Sequence, residues 1–139
     1  MKLHIDPSVH DAMLEHCLAG RPNEACGFLG GTGGQATLIY PLRNAAASPV
    51  FYEPDGREML RALDDLDRQG SDLLAIFHSH VATAPWPSPT DVREAHHPGV
   101  VYLIVSLMSE APEVKGFLIE KADWRDKEGE IVEVDLVVS

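Results

Sequence analysis

The sequence predicts a mixed α/β domain built on a single, largely antiparallel sheet. Three observations carry this. Short apolar or alternating runs, bounded by Gly, Pro, Asn, Asp and Ser, recur along the chain and have the form of strands. Two longer segments space their apolar residues at helical intervals. The C-terminal part then holds three strand-like runs in succession: Val100 to Leu107, Glu113 to Ile119 and Glu130 to Val138. At 139 residues, 45% of them hydrophobic, the chain suits one domain over residues 1–139 with a substantial core.

From the N-terminus, Lys2 to Ile5 alternates and suits a first strand. Asp6-Pro7 supplies an N-cap and a first helical residue, Val9, Ala12, Met13 and Cys17 share one helical face, and Gly20 suits the stop. His4, His10 and His16 do not gather at ligand spacing. Glu24 to Gly30 predicts a strand, and Gly30-Gly31-Thr32-Gly33-Gly34 a hairpin turn into Ala36 to Tyr40. That glycine-rich stretch lacks the Lys-Ser/Thr ending of a phosphate-binding loop and does not lead into a helix, so it is a turn. Residues 42–54 form a loop or short strand with two prolines, Pro49 and Pro54.

Asp55-Gly-Arg-Glu58 starts a second helix, with Met59, Leu60, Leu63 and Leu66 expected to be buried and Asp64, Asp65 and Asp67 solvated. Leu73 to Phe77 is a buried strand, bounded by Gly70 and Ser71 and continuing to His80. A proline-rich loop, Val81 to Pro87, carries Trp86. Ser88 opens a short helix that Pro98-Gly99 ends.

The chemistry concentrates around His78-Ser79-His80, followed after seven residues by Ser88-Pro89-Thr90-Asp91. On a strand, His78 and His80 project together and Ser79 faces away. Two imidazoles and a carboxylate are a common catalytic zinc set, with a fourth position left for water. A structural explanation also exists. Serine, proline and Asp at these positions are an N-cap, a first helical residue and a capping-box acid. The two readings are compatible, because a helix N-terminus can hold a carboxylate toward a metal.

Glu24, in Glu24-Ala-Cys-Gly-Phe-Leu-Gly, together with His78-x-His80-x7-Ser88-x2-Asp91, resembles the JAMM (MPN+) metallopeptidases. The segments Asn23 to Gly27 and Ser88 to Val92 are similar to small bacterial members that trim or release ubiquitin-like sulfur-carrier proteins at their Gly-Gly tails. The resemblance implies a curved sheet flanked by helices, akin in topology to cytidine deaminases. It implies one Zn2+ held by His78, His80 and Asp91, with Glu24 as the general acid/base and Ser88 donating to the oxyanion. Its implied partner is a sulfur carrier ending in Gly-Gly, cleaved after that tail, with Trp86 as either a packing anchor or a wall of the substrate channel.

Alternatives stay open. Domains of this type that lack the ligands serve as non-enzymatic scaffolds, whereas here the whole motif is present. A zinc hydrolase of another substrate class is a further alternative; for a deaminase, the His-x-Glu and Pro-Cys-x-x-Cys pair does not occur. Cys26 is expected to be a small core residue rather than a ligand, and His96 and His97 solvated residues past the helix.

Composition bounds the partners. A net charge of −11 repels phosphate backbones, so nucleic acid is an unsuitable partner. The longest apolar run, Val100 to Met108, is too short to span a bilayer. Met1 to Pro7 has no apolar signal-peptide core, and two cysteines make no disulfide framework. These features point to the cytoplasm.

Overall fold

The computed structural model describes residues 1–139. Its elements follow in the order β1 (Lys2–Ile5), α1 (Pro7–Gly20), β2 (Cys26–Thr32), β3 (Gln35–Leu42), α2 (Gly56–Arg68), β4 (Asp72–His80), α3 (Pro89–Arg93), β5 (Val101–Ser106), β6 (Glu113–Glu120) and β7 (Glu130–Val138). The strands pair in the order β1-β3-β2-β4-β5-β6-β7, and β1 also pairs with β7. The expected curved sheet therefore closes on itself. Antiparallel pairings join β2 to β3 and β4, and β6 to β5 and β7. The parallel ones are β1 with β3 and β7, and β4 with β5.

Packing explains why β4 and β5 are apolar without alternation. Ala75 and Phe77 of β4, with Val101, Leu103 and Val105 of β5, join Val9, Met13 and Cys17 of α1 in one core. Ile76 and Tyr102, from the opposite faces of the same strands, join Ala62 of α2 and Val92 of α3 in another. Strands covered on both sides need apolar residues at every position. The face of Ile76 is also the face of His78 and His80, so the strand period carries both imidazoles toward α3.

Three expectations need correction. In α2, Met59 and Leu66 turn inward as expected, but Leu60 and Leu63 are 70% and 38% exposed and Ala62 takes their place. The helix is rotated because Asp65 also faces the sheet, where Tyr40 donates its hydroxyl to the Asp65 carboxylate. Asp65 is accordingly half-buried, not solvated. Second, β2 begins at Cys26 rather than at Glu24 and runs on to Thr32. The turn shrinks to Gly33-Gly34, whose φ values of +60° and +74° suit the two-residue hairpin that glycine favours. Third, α3 ends at Arg93, well before Pro98-Gly99.

Gly27 marks a close approach between β2 and β4: a Cβ there would lie 2.3 Å from the Phe77 ring. No helix is long and apolar enough to cross a membrane.

Candidate active site

His78 and His80 close β4, with side chains only 1% and 6% exposed. β5 lies parallel on one side of this strand, with His78 opposite Ile104, and β2 antiparallel on the other, with Cys26 opposite His78. Asp91 arrives from α3. The Ser88 Oγ accepts the Asp91 N–H at 3.0 Å, and the Ser88 N–H donates to Asp91 Oδ2 at 2.9 Å. This reciprocal cap turns the Asp91 carboxylate back onto β4, so the same arrangement that caps α3 brings the carboxylate to the two imidazoles. Asp91 Oδ1 lies 3.3 Å from His78 Nε2, Asp91 Oδ2 lies 3.0 Å from His80 Nε2, and the two Nε2 atoms are 3.1 Å apart.

That spacing fits a metal. Nitrogen and oxygen ligands at about 2.0–2.1 Å from a tetrahedral zinc sit roughly 3.3 Å from one another. The proton arrangement points the same way. His80 Nδ1 lies 2.9 Å from the Ala84 carbonyl oxygen, which can only accept, so Nδ1 carries the proton. In the neutral ring Nε2 is then bare, and its lone pair faces both the Asp91 carboxylate and the other imidazole. The bare His80 Nε2 and the Asp91 carboxylate thus turn lone pairs toward the point where His78 Nε2 also lies, a donor set that suits a cation.

Burial pulls the His80 pKa down, but the Asp91 carboxylate and the Ala84 carbonyl outweigh it and raise it. For His78, burial dominates and lowers it. Burial works against ionised Asp91 too, yet hydrogen bonds from the two histidines hold it well below the usual carboxylate range.

Glu24 is 7% exposed, sits two residues before β2, and is close enough to His80 and Asp91 to feel their charges. Burial pushes its carboxyl up to about 7; the His80 charge opposes this and the Asp91 charge adds to it. A carboxyl that titrates near neutrality both accepts and returns a proton readily. Ser88 is half-buried; its Oγ already accepts the cap bond, which leaves its own proton for a further acceptor. Two cavities flank this region. One of about 440 Å³ is lined by Tyr52, Met59, His97 and Tyr102 among others, and one of about 190 Å³ by Glu24, Ala25 and Asn44 among others.

Trp86 stands farther out, 53% exposed, with its ring edge-on to Phe117 at 5.1 Å. Cys26 is fully buried in the core with its thiol directed at the Leu42 carbonyl, and burial raises that thiol to about 12. His96 lies against Trp124 and His97 lines the larger cavity; both are exposed and neither approaches the ligand cluster.

Two contributors escaped the sequence reading. Ser79 is fully buried, and its Oγ accepts the Ala25 N–H at 2.9 Å while its own N–H donates to the Ala25 carbonyl at 3.0 Å. The signal was present: a small polar residue on the core face of an otherwise apolar strand needs a partner. Tyr52 stacks on His78 from the 42–54 loop, and no spacing rule links those two positions.

Known proteins match this chain closely. The profile described as prokaryotic homologs of the JAB domain matches residues 6–125. A desampylase of Haloferax volcanii is 37% identical over 112 residues, covering 76% of this chain and 81% of the relative. A CysO-cysteine peptidase of Mycobacterium tuberculosis is 41% identical over 101 residues, covering 69% of this chain and 67% of the relative. The solution structure of a Desulfitobacterium hafniense protein superposes with a TM-score of 0.84 at 36% identity, over 100% of this chain and 93% of that one. A JAB1/MPN domain protein from Archaeoglobus fulgidus, at 20% identity and a TM-score of 0.59 over 97% of this chain and 99% of that one, shares the fold.

Proposed function

The chain belongs to the family of prokaryotic JAB-domain homologues, and from this we propose that it is a zinc-dependent peptidase or isopeptidase that cleaves after the Gly-Gly tail of a ubiquitin-like sulfur carrier. In this reading residues 1–139 form one metallopeptidase domain that works in the cytoplasm, consistent with its two free, buried cysteines. The observation that carries the proposal is the convergence of His78 Nε2, His80 Nε2 and the Asp91 carboxylate, at 3.0–3.3 Å from one another, beside a buried Glu24. Relatives named for peptidase action on CysO-cysteine and for desampylation support the substrate class.

When bound by His78, His80 and Asp91, a zinc ion supplies an acidified water and a Lewis acid for the scissile carbonyl. Glu24 as carboxylate takes the proton of the attacking water, and as acid returns one to the departing amine nitrogen. Its raised pKa keeps both forms accessible near neutral pH. Ser88 directs its hydroxyl proton to the carbonyl oxygen as negative charge grows there. The half-exposed Trp86, between the buried Pro85 and Pro87, forms a stiff wall of the substrate path. Glycines beside the scissile bond suit a narrow passage, since they let the two backbones approach.

The test uses zinc-loaded protein and folded carriers ending in Gly-Gly, each extended by a cysteine, a peptide or a lysine linkage, with products weighed by mass spectrometry. Cleavage directly after the second glycine is expected, with poor activity once the penultimate glycine becomes bulky. Cleavage elsewhere, or indifference to that replacement, overturns the carrier assignment. Glu24→Gln is expected to keep zinc and lose on the order of 10²-fold or more in rate.

A further inference from the structure

Glu24 is aimed without any hydrogen bond to its own carboxylate within the protein; every bond that holds it is made by the backbone around it. Its N–H donates to the Ser48 carbonyl at 2.9 Å, and its carbonyl accepts from Asn44 Nδ2 at 2.9 Å. The next amide, Ala25 N–H, is held by Ser79. The peptide groups on both sides of the Glu24 Cα are therefore tied, and the direction of its Cβ follows from them.

Asn44 is the saturated member of this set. Its Nδ2 donates to the Glu24 and Phe51 carbonyls at 2.9 and 3.0 Å, and its Oδ1 accepts the Ala46 and Glu53 N–H groups at 3.0 and 2.9 Å. Two donors and two acceptors are the full capacity of the amide, and the four partners admit only one orientation of it. The carbonyl of Phe51 and the amide of Glu53 flank Tyr52, the residue stacked on His78. One side chain thus ties the backbone of the proton carrier to the segment that packs on a ligand ring.

We infer that Asn44 is the positioning residue of Glu24: it sets where the carboxylate stands and leaves the proton transfer itself to Glu24. This rests on the acid/base role proposed for Glu24. A lateral error of about 1 Å in such a group costs on the order of 10²-fold in rate.

The experiment compares Asn44→Ala and Asn44→Asp, alone and combined with Glu24→Gln, on a Gly-Gly-extended ubiquitin-like carrier. Asn44→Asp keeps both acceptor bonds that stitch the loop and loses both donor bonds, including the one to Glu24. Each single variant is expected to lower kcat about 10-fold or more with KM within roughly 3-fold, at unchanged zinc content. In the Glu24→Gln background the same substitutions should alter the residual rate less than about 2-fold, because their route to the chemistry has gone. An equal loss in both backgrounds, a change confined to KM, or loss of folding in both variants overturns the inference by making Asn44 purely structural. A Glu24→Gln enzyme with normal turnover would instead overturn the acid/base reading beneath it.

Discussion

Tyr52 lies flat against His78, their ring centroids 4.3 Å apart and their planes 18° from parallel. His78 Nδ1 is buried with no hydrogen-bond partner, so the stack, rather than a bond at Nδ1, holds the plane of this ring. Tyr52→Ala should weaken zinc binding on the order of 10-fold, measured by chelator competition, while Tyr52→Phe, which keeps the ring, binds normally. Equal affinities for the two variants would assign the stack to packing alone.

About one zinc per chain is expected in the purified protein, and His80→Ala should lose it. Metal analysis by mass spectrometry decides the matter. Undiminished zinc in that variant would remove the cluster from consideration as the metal site.

Protonation of Glu24 links folding to pH. Its carboxyl titrates at about 7 in the folded protein against an ordinary 4.5, mainly through burial. The folded state therefore holds a proton that the unfolded chain has already released. Between these values the contribution of Glu24 to stability falls as pH rises, and outside them it is constant. Metal-free protein and its Glu24→Gln variant should accordingly diverge from pH 4.5 to pH 7, with the variant gaining on the order of 1–3 kcal/mol. Parallel stability curves across that window would contradict the raised pKa.

Ser88 caps α3, and the oxyanion role proposed for its hydroxyl is separable from that. Ser88→Ala should cost about 1 kcal/mol of stability through the lost cap. If the hydroxyl also serves the oxyanion, kcat falls on the order of 10–10²-fold with little change in KM. A thermal shift with intact kcat would leave only the cap.

Gly27→Ala should destabilise the protein by about 1–3 kcal/mol, because its new methyl would enter the Phe77 ring, which is fully buried and has nowhere to move. Chemical denaturation measures this directly. A neutral result would mean that β2 and β4 can separate without cost.

Much of the site was legible because its parts obey local rules. The period of a strand pairs His78 with His80, and the capping box places Asp91; both are decided within a few residues of chain. α2 was harder. Choosing Leu60 and Leu63 over Ala62 follows size, but the rotation of the helix is set by Asp65 reaching Tyr40 on β3, a contact made 25 positions away. Tyr52 and Asn44 were invisible for the same reason. Their partners, His78 and Glu24, lie in other segments, and a loop without period carries no register from which to infer the contact. The ring closure of the sheet was equally hidden, since nothing in Lys2 to Ile5 names β7 as a neighbour.

That last pairing has a consequence for biosynthesis. Lys2 sits opposite Asp135 and Ile5 opposite Val138, so β1 meets the partner with which it pairs most extensively only after β7 has been made. Until then the backbone of β1 has only the short ladder with Gln35 and Ala36, and Leu3 and Ile5, both essentially without exposure in the finished protein, are covered only by the part of the core made before β7. Closing so long a loop is entropically expensive and belongs late in folding. The seam between β1 and β7 thus stays open until β7 has been made, and the pairing most distant in sequence is the one that completes the ring.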